Sequence, residues 1–77
     1  MQNTKLKPHT WTHWHDTRLP ECNFCDQTAA VDGATTLSSW AYMCRWHFIQ
    51  YGRGLGLGLG QELVLPGQTP KLQELAQ

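Results

Sequence analysis

Hydrophobic and polar positions change their period twice along this chain. Between residues 28 and 43 threonine, valine, alanine and aromatic side chains dominate, which suits two short antiparallel strands. The second strand is Trp40-Ala41-Tyr42-Met43, alternating larger and smaller side chains. The turn between them falls either at Asp32-Gly33, a strong two-residue hairpin pair, or at Leu37-Ser38-Ser39, and propensity leaves both open. From Cys44 the period becomes helical. Cys44, His47, Phe48 and Tyr51 fall at i, i+3, i+4 and i+7 on one face, and Gly52 stands where a glycine helix cap belongs.

Residues 52 to 60 then read Gly-Arg-Gly-Leu-Gly-Leu-Gly-Leu-Gly. A period of two places Arg53, Leu55, Leu57 and Leu59 on one face of a strand and glycines on the other. Five leucines lie between Leu55 and Leu65, and at ~25 cal/mol per Å² of apolar area they are costly to leave in water. Docking of at least part of this segment as a strand is therefore expected. A mobile linker and a segment that orders on a partner are the other two readings. The glycines match neither a dinucleotide fingerprint nor a phosphate-binding loop, so a nucleotide site is not expected. Farther on, Thr69-Pro70 signals a helix start, with Leu72, Leu75 and Ala76 on one face.

These segments divide the chain into an aromatic and histidine arm (residues 1–19), a central domain (residues 20–65) and a tail with a short helix (residues 66–77). At 77 residues the core is small, and cores of this size usually need a staple. No apolar run follows Lys5 and Lys7, and the uncharged stretch between Arg53 and Glu62 is far shorter than the ~20 residues that span a bilayer. A cytoplasmic protein with reduced thiols and no membrane attachment is expected. Basic and acidic residues balance at 6 each, and the basic ones are scattered at 5, 7, 18, 45, 53 and 71. That balance argues against a protein living on nonspecific phosphate contacts.

Three cysteines cannot pair off completely, which argues against a disulfide framework. With one histidine they form a complete set: Cys22, Cys25, Cys44 and His47 read C-x2-C-x18-C-x2-H, within the spacing of two-knuckle zinc sites. A tight loop aims the first two sulfurs at one point, and the start of a helix aims Cys44 and His47. Two such pairs converge on a tetrahedron, the geometry structural zinc takes. Three thiolates and one imidazole leave no position for substrate or activated water. One structural Zn2+ is therefore expected. A redox Cys-x-x-Cys needs a βαβ setting too long for this chain, and iron held by four thiolates is disfavoured by His47. His9, His13 and His15 lack a convincing further ligand and read as solvated or packing side chains.

The order of knuckle, hairpin and ligand-bearing helix resembles the treble-clef class of zinc fingers. More narrowly, residues 22–63 resemble short single-zinc proteins, treble-clef or zinc-ribbon-like, encoded by bacteriophages and some bacteria. The resemblance rests on Cys22-x-x-Cys25, Val31-Asp32-Gly33, Trp40-Ala41-x-Met43-Cys44-x-x-His47 and Tyr51-Gly52-x-Gly54-Leu55-Gly56-x-Gly58-x-Gly60-Gln61. It implies a small α+β zinc-stapled fold and a metal, and it implies no activity. If the chain is phage-encoded, the cytoplasm is that of the host.

Without paired carboxylates or a nucleophile beside a base, no enzyme is expected. The leading expectation is a structural-zinc interaction module that binds a protein partner. Its candidate contacts are Trp40, Tyr42, Trp46, Arg45 and Arg53, since tryptophan, tyrosine and arginine anchor interfaces. Phe24, Phe48 and Tyr51 are expected to pack around the metal instead, and Trp46, off the ligand face, to be exposed. A nucleic-acid-binding finger is the alternative, with basic side chains converging in space and rings stacking on bases. No small-molecule substrate is inferred.

Overall fold

The computed structural model describes residues 10–72, and within them the chain folds around one antiparallel hairpin. Strand β2 (Val31–Ala34) pairs with β3 (Trp40–Met43) in the register Val31↔Met43 to Ala34↔Trp40. The turn is the second of the two anticipated sites. Asp32-Gly33 stays inside β2, and the chain reverses between Thr35 and Ser39, with Ser38 in a left-handed conformation (φ 77°). Buried Thr35 organises this loop: its N–H and hydroxyl both donate to the Ser39 carbonyl, at 2.9 and 2.8 Å, and its hydroxyl oxygen accepts the Leu37 N–H. A side-chain oxygen that satisfies its own turn outcompetes the Asp-Gly signal.

Gly33 serves close approach instead. On β4 (Gly60–Val64) its partner is Gly60, and a Cβ on Gly33 would stand 2.8 Å from the Leu59 carbonyl oxygen. Two strands cross here with no side chain between them. Strand β4 pairs antiparallel with β2 and parallel with β1 (Trp11–His13), giving the sheet order β1-β4-β2-β3. Part of the stretch read from sequence as an arm thus supplies an edge strand. At the other edge the knuckle residue Asn23 imitates a neighbouring strand: its N–H donates to the Tyr42 carbonyl at 2.8 Å, and its Oδ1 accepts the Tyr42 N–H at 2.7 Å.

Helix α1 (Arg45–Tyr51) follows β3 directly, with Cys44 as N-cap and Gly52 as C-cap. The expected helix and its limits hold, but the reason for the glycine differs. Gly52 is extended (φ −71°), so no left-handed cap is needed. Its N–H donates to the Phe48 carbonyl at 2.8 Å, and a Cβ would lie 2.3 Å from the Phe48 ring. The glycine is there to let Phe48 pack.

The Gly/Leu segment departs from a period-two strand. Gly54, Gly56 and Gly58 all take positive φ, and Gly56 and Gly60 are tied by N–H donation in both directions, at 2.7 and 3.0 Å. The chain coils here and becomes a strand only at Gly60. Consequently the leucines do not share a face: Leu55 packs on the core, Leu59 is part-exposed and Leu57 is 80% exposed. Docking occurs for the later part, where Leu63 and Val64 are buried.

Opposed residues Met43, Val31 and Glu62 share one face of the sheet with Ala41, and this face carries the core. Phe24, Ala30, Phe48, Tyr51, Leu55 and Leu72 close over it. Buried Glu62 anchors the chain beyond the sheet, accepting the N–H groups of Lys71 and Leu72 at 2.7 and 3.0 Å. Most of the helix expected after Thr69-Pro70 lies outside the described residues. No helix among the described residues is long and apolar enough to cross a membrane.

Candidate metal centre

Two local structures deliver the four candidate ligands. The first is the loop after Pro20. The Cys22 N–H donates to the Gln27 carbonyl at 2.8 Å, and a bridge between Glu21 and Thr28 closes the base. Inside it the Phe24 N–H donates to the Cys22 sulfur at 3.4 Å. The second is the β3–α1 junction. Cys44 is the N-cap, its sulfur accepting the His47 N–H at 3.4 Å, where a helix otherwise uses serine or aspartate. A thiolate here also meets the positive end of the helix. The cap that starts α1 is therefore also a candidate ligand.

The two pairs converge as the spacing anticipated. One ligand atom from each of Cys22, Cys25, Cys44 and His47 lies within 4.8 Å of all the others. The nearest approaches are 3.8 Å between the Cys25 and Cys44 sulfurs, and 3.3 and 3.5 Å from His47 Nδ1 to the sulfurs of Cys44 and Cys22. Zinc–sulfur bonds of about 2.3 Å and a zinc–nitrogen bond of about 2.0–2.1 Å at tetrahedral angles put sulfurs about 3.8 Å apart and sulfur and nitrogen about 3.5 Å apart. These three separations fit a single tetrahedral metal, with the remaining pairs inside 4.8 Å. Nδ1 is the inward atom, so that nitrogen is the lone-pair donor when a cation is held.

Packing fixes the imidazole. The Tyr51 ring stacks parallel to it, 5.9 Å away at 3°, and Phe24 lies 5.4 Å away, 5.0 Å from Tyr51. Phe24, Phe48 and Tyr51 thus pack as expected, two of them against the ligand histidine. Cys22 and Cys44 are buried, whereas Cys25 and His47 are partly open.

The thiols share their protons unequally. Burial pushes Cys22 up, but N–H donation from Cys44 and Phe24 and the neighbouring thiols outweigh it and bring it down to about 7. For Cys25 the Gln27 N–H lowers the value, while desolvation and its contacts with Cys22 and Cys44 outweigh that and raise it. One thiolate forms readily and makes the next harder to form. A divalent cation at the centre removes that conflict, because all three sulfurs then face positive charge.

The other candidate residues do not form one patch. Trp40 (56% exposed) and half-buried Tyr42 sit on the sheet face opposite the core. Trp46 (67% exposed) and Arg45 lie on α1, which packs over the core face, and exposed Arg53 follows that helix. Ile49, 70% exposed three residues after Trp46, extends the helix patch. Its signal was present in sequence, at a helix position off the ligand face. His13 and His15 are exposed, their rings against Trp11 at 4.9 Å and Trp14 at 4.4 Å. They join no metal-binding group among the described residues, and His9 lies outside those residues. Comparison with known proteins finds no matching family model, no matching curated protein and no matching solved structure.

Proposed function

We propose that this chain is a zinc-stapled, treble-clef-like interaction module whose task is to bind a protein partner. Zinc is the ion favoured by three thiolates and one imidazole at tetrahedral separations. Four protein ligands fill the shell, which supports a structural role and a non-enzymatic protein. The observation that carries the partner-binding reading is the outer face of α1. Trp46 and Ile49 stand in solvent one turn apart, on the helix whose start holds two of the ligands. A large exposed indole on an element locked by metal is a preorganised anchor. A partner-binding module without chemistry of its own fits an accessory or regulatory role, in the host cytoplasm if the chain is phage-encoded.

Nucleic acid is the second reading, favoured by one feature: α1 has no acidic residue, exposed Arg45 opens it and exposed Arg53 follows it. Titration of the zinc-loaded chain with mixed single- and double-stranded oligonucleotides at two salt concentrations separates the two. Under the protein-partner reading, binding is weak. Tight binding that falls steeply with salt would reverse the assignment. Photo-crosslinking from exposed position 50 of α1 in a host lysate is expected to capture one protein species, and the same chain carrying Trp46→Ala is expected to lose it; capture unchanged by Trp46→Ala would refute the anchor.

A further inference from the structure

The sheet face opposite the core, on which Leu63 is buried and Trp40 exposed, carries an unusual combination. Asp32, at the centre of β2, lies directly opposite Tyr42 on β3 and Gln61 on β4, so the three side chains share a face. Trp40 projects from the same face two residues before Tyr42, and its cross-strand partner is Ala34, which leaves room beside the indole. The Trp14 ring meets Tyr42 edge-on, 5.8 Å away at 89°, and donates its indole N–H to the Arg18 carbonyl at 2.8 Å. Asn23 holds Tyr42 in place through its backbone, as described above. Beside Tyr42 the Asp32 carboxylate is half-buried and has no cationic partner among the described residues. Burial alone pushes its carboxyl up.

We propose that this face is a docking platform for an arginine side chain presented by the protein partner, an inference that rests on the partner-binding reading above. A carboxylate that gives up solvation without a counter-charge is complementary to a cation. The π faces around it have the same preference, since their quadrupoles attract cations and repel anions. The same negative character disfavours phosphate, so this surface is not a nucleic-acid contact. Arginine suits the shape better than lysine. Its planar guanidinium pairs with a carboxylate through two N–H groups while lying flat on an indole, and the diagonal from Asp32 to Trp40 is about 7–8 Å, within reach of one such group. The carboxylate lies low between Tyr42 and Gln61, so the cation must come on a long, protruding side chain.

The test is amide and indole NMR of the zinc-loaded full chain, titrated with N-acetyl-arginine amide. The matched controls are the citrulline and lysine analogues and tetramethylammonium. Saturable shifts are expected at the Trp40 and Trp14 indole N–H and at the amides of Asp32, Ala34 and Tyr42. The affinity of so small a probe is expected to be roughly millimolar. Asp32→Asn, a near-isosteric change, is expected to weaken binding about tenfold. Trp40→Ala is expected to abolish it, with Trp40→Phe as the fallback if the alanine variant loses spectral dispersion. Equal shifts with citrulline, an unaltered affinity in Asp32→Asn, tighter binding of tetramethylammonium, or shifts confined to Trp46 on α1 would each overturn the assignment. An oligonucleotide arm keeps the two readings apart. Salt-sensitive shifts at Arg45 and Arg53 count against the partner-binding reading, whereas a silent sheet face with arginine counts against the platform alone.

Discussion

Stripping the metal is expected to unfold this protein, and the structure sets the scale. Among the described residues the largest fully buried side chains are Val31 and Met43, which together contribute about 3–6 kcal/mol of gross burial. The metal contributes on two levels. As a cross-link it ties the knuckle to the helix, and closing a loop of roughly 20 residues is worth about 3 kcal/mol by chain entropy. As a set of four bonds it contributes on the order of 10 kcal/mol at neutral pH. Either exceeds any single apolar contact in the fold. Chelation is expected to abolish the helical far-UV circular dichroism and the dispersed NMR spectrum, with one zinc released per chain. Acidification is expected to do the same as the ligands protonate. The reasoning fails if the metal-free chain keeps a native-like spectrum and a cooperative melt, or if more than one zinc per chain is essential.

Three further expectations follow from single contacts. Gly52→Ala places a methyl 2.3 Å from the Phe48 ring and is expected to cost about 1–3 kcal/mol in a thermal melt of the zinc-loaded protein; a loss under about 0.5 kcal/mol would show that Phe48 moves freely. Glu62→Ala leaves the N–H groups of Lys71 and Leu72 without their acceptor, so a loss of about 1–3 kcal/mol is expected with faster amide exchange at those two positions; unchanged exchange there counts against the anchor. Asp32 carries a carboxyl raised by burial, so the folded state holds its proton more tightly than the unfolded one. Its contribution to stability therefore falls as pH rises from the unfolded value through the folded one, and the penalty persists at neutral pH. Asp32→Asn is expected to stabilise the chain slightly at neutral pH, with the gain fading in acid; destabilisation at neutral pH would refute the assigned cause.

Glu62 and Asp32 also mark where reading the sequence runs out. Each is an ordinary acidic residue in a short apolar context, and nothing local separates them. One accepts two backbone N–H groups from a segment about nine residues on. The other faces an open aromatic surface. Their difference comes from which face of the sheet each occupies, and that depends on the register of β2 with β4. The Gly/Leu segment shows the same limit in backbone form. Alternation suggests a strand, yet glycine imposes no preference for one, and three positive φ values close a coil instead.

By itself the sequence determined the cluster of candidate metal ligands, the helix that presents two of them, the strand Trp40–Met43 and the aromatic packing around His47. These depend on spacings of two, three and four residues, which local geometry translates directly into shared faces. Tertiary structure alone decided the rest: the hairpin turn at Thr35–Ser39, the parallel pairing of Trp11–His13 with residues some fifty positions away, and the division of the exposed aromatics between two surfaces. Pairing between distant strands is selected by the burial of whole faces rather than by any local preference. That selection is why a complete candidate metal site can be read from four residues, while the make-up of an exposed sheet face cannot.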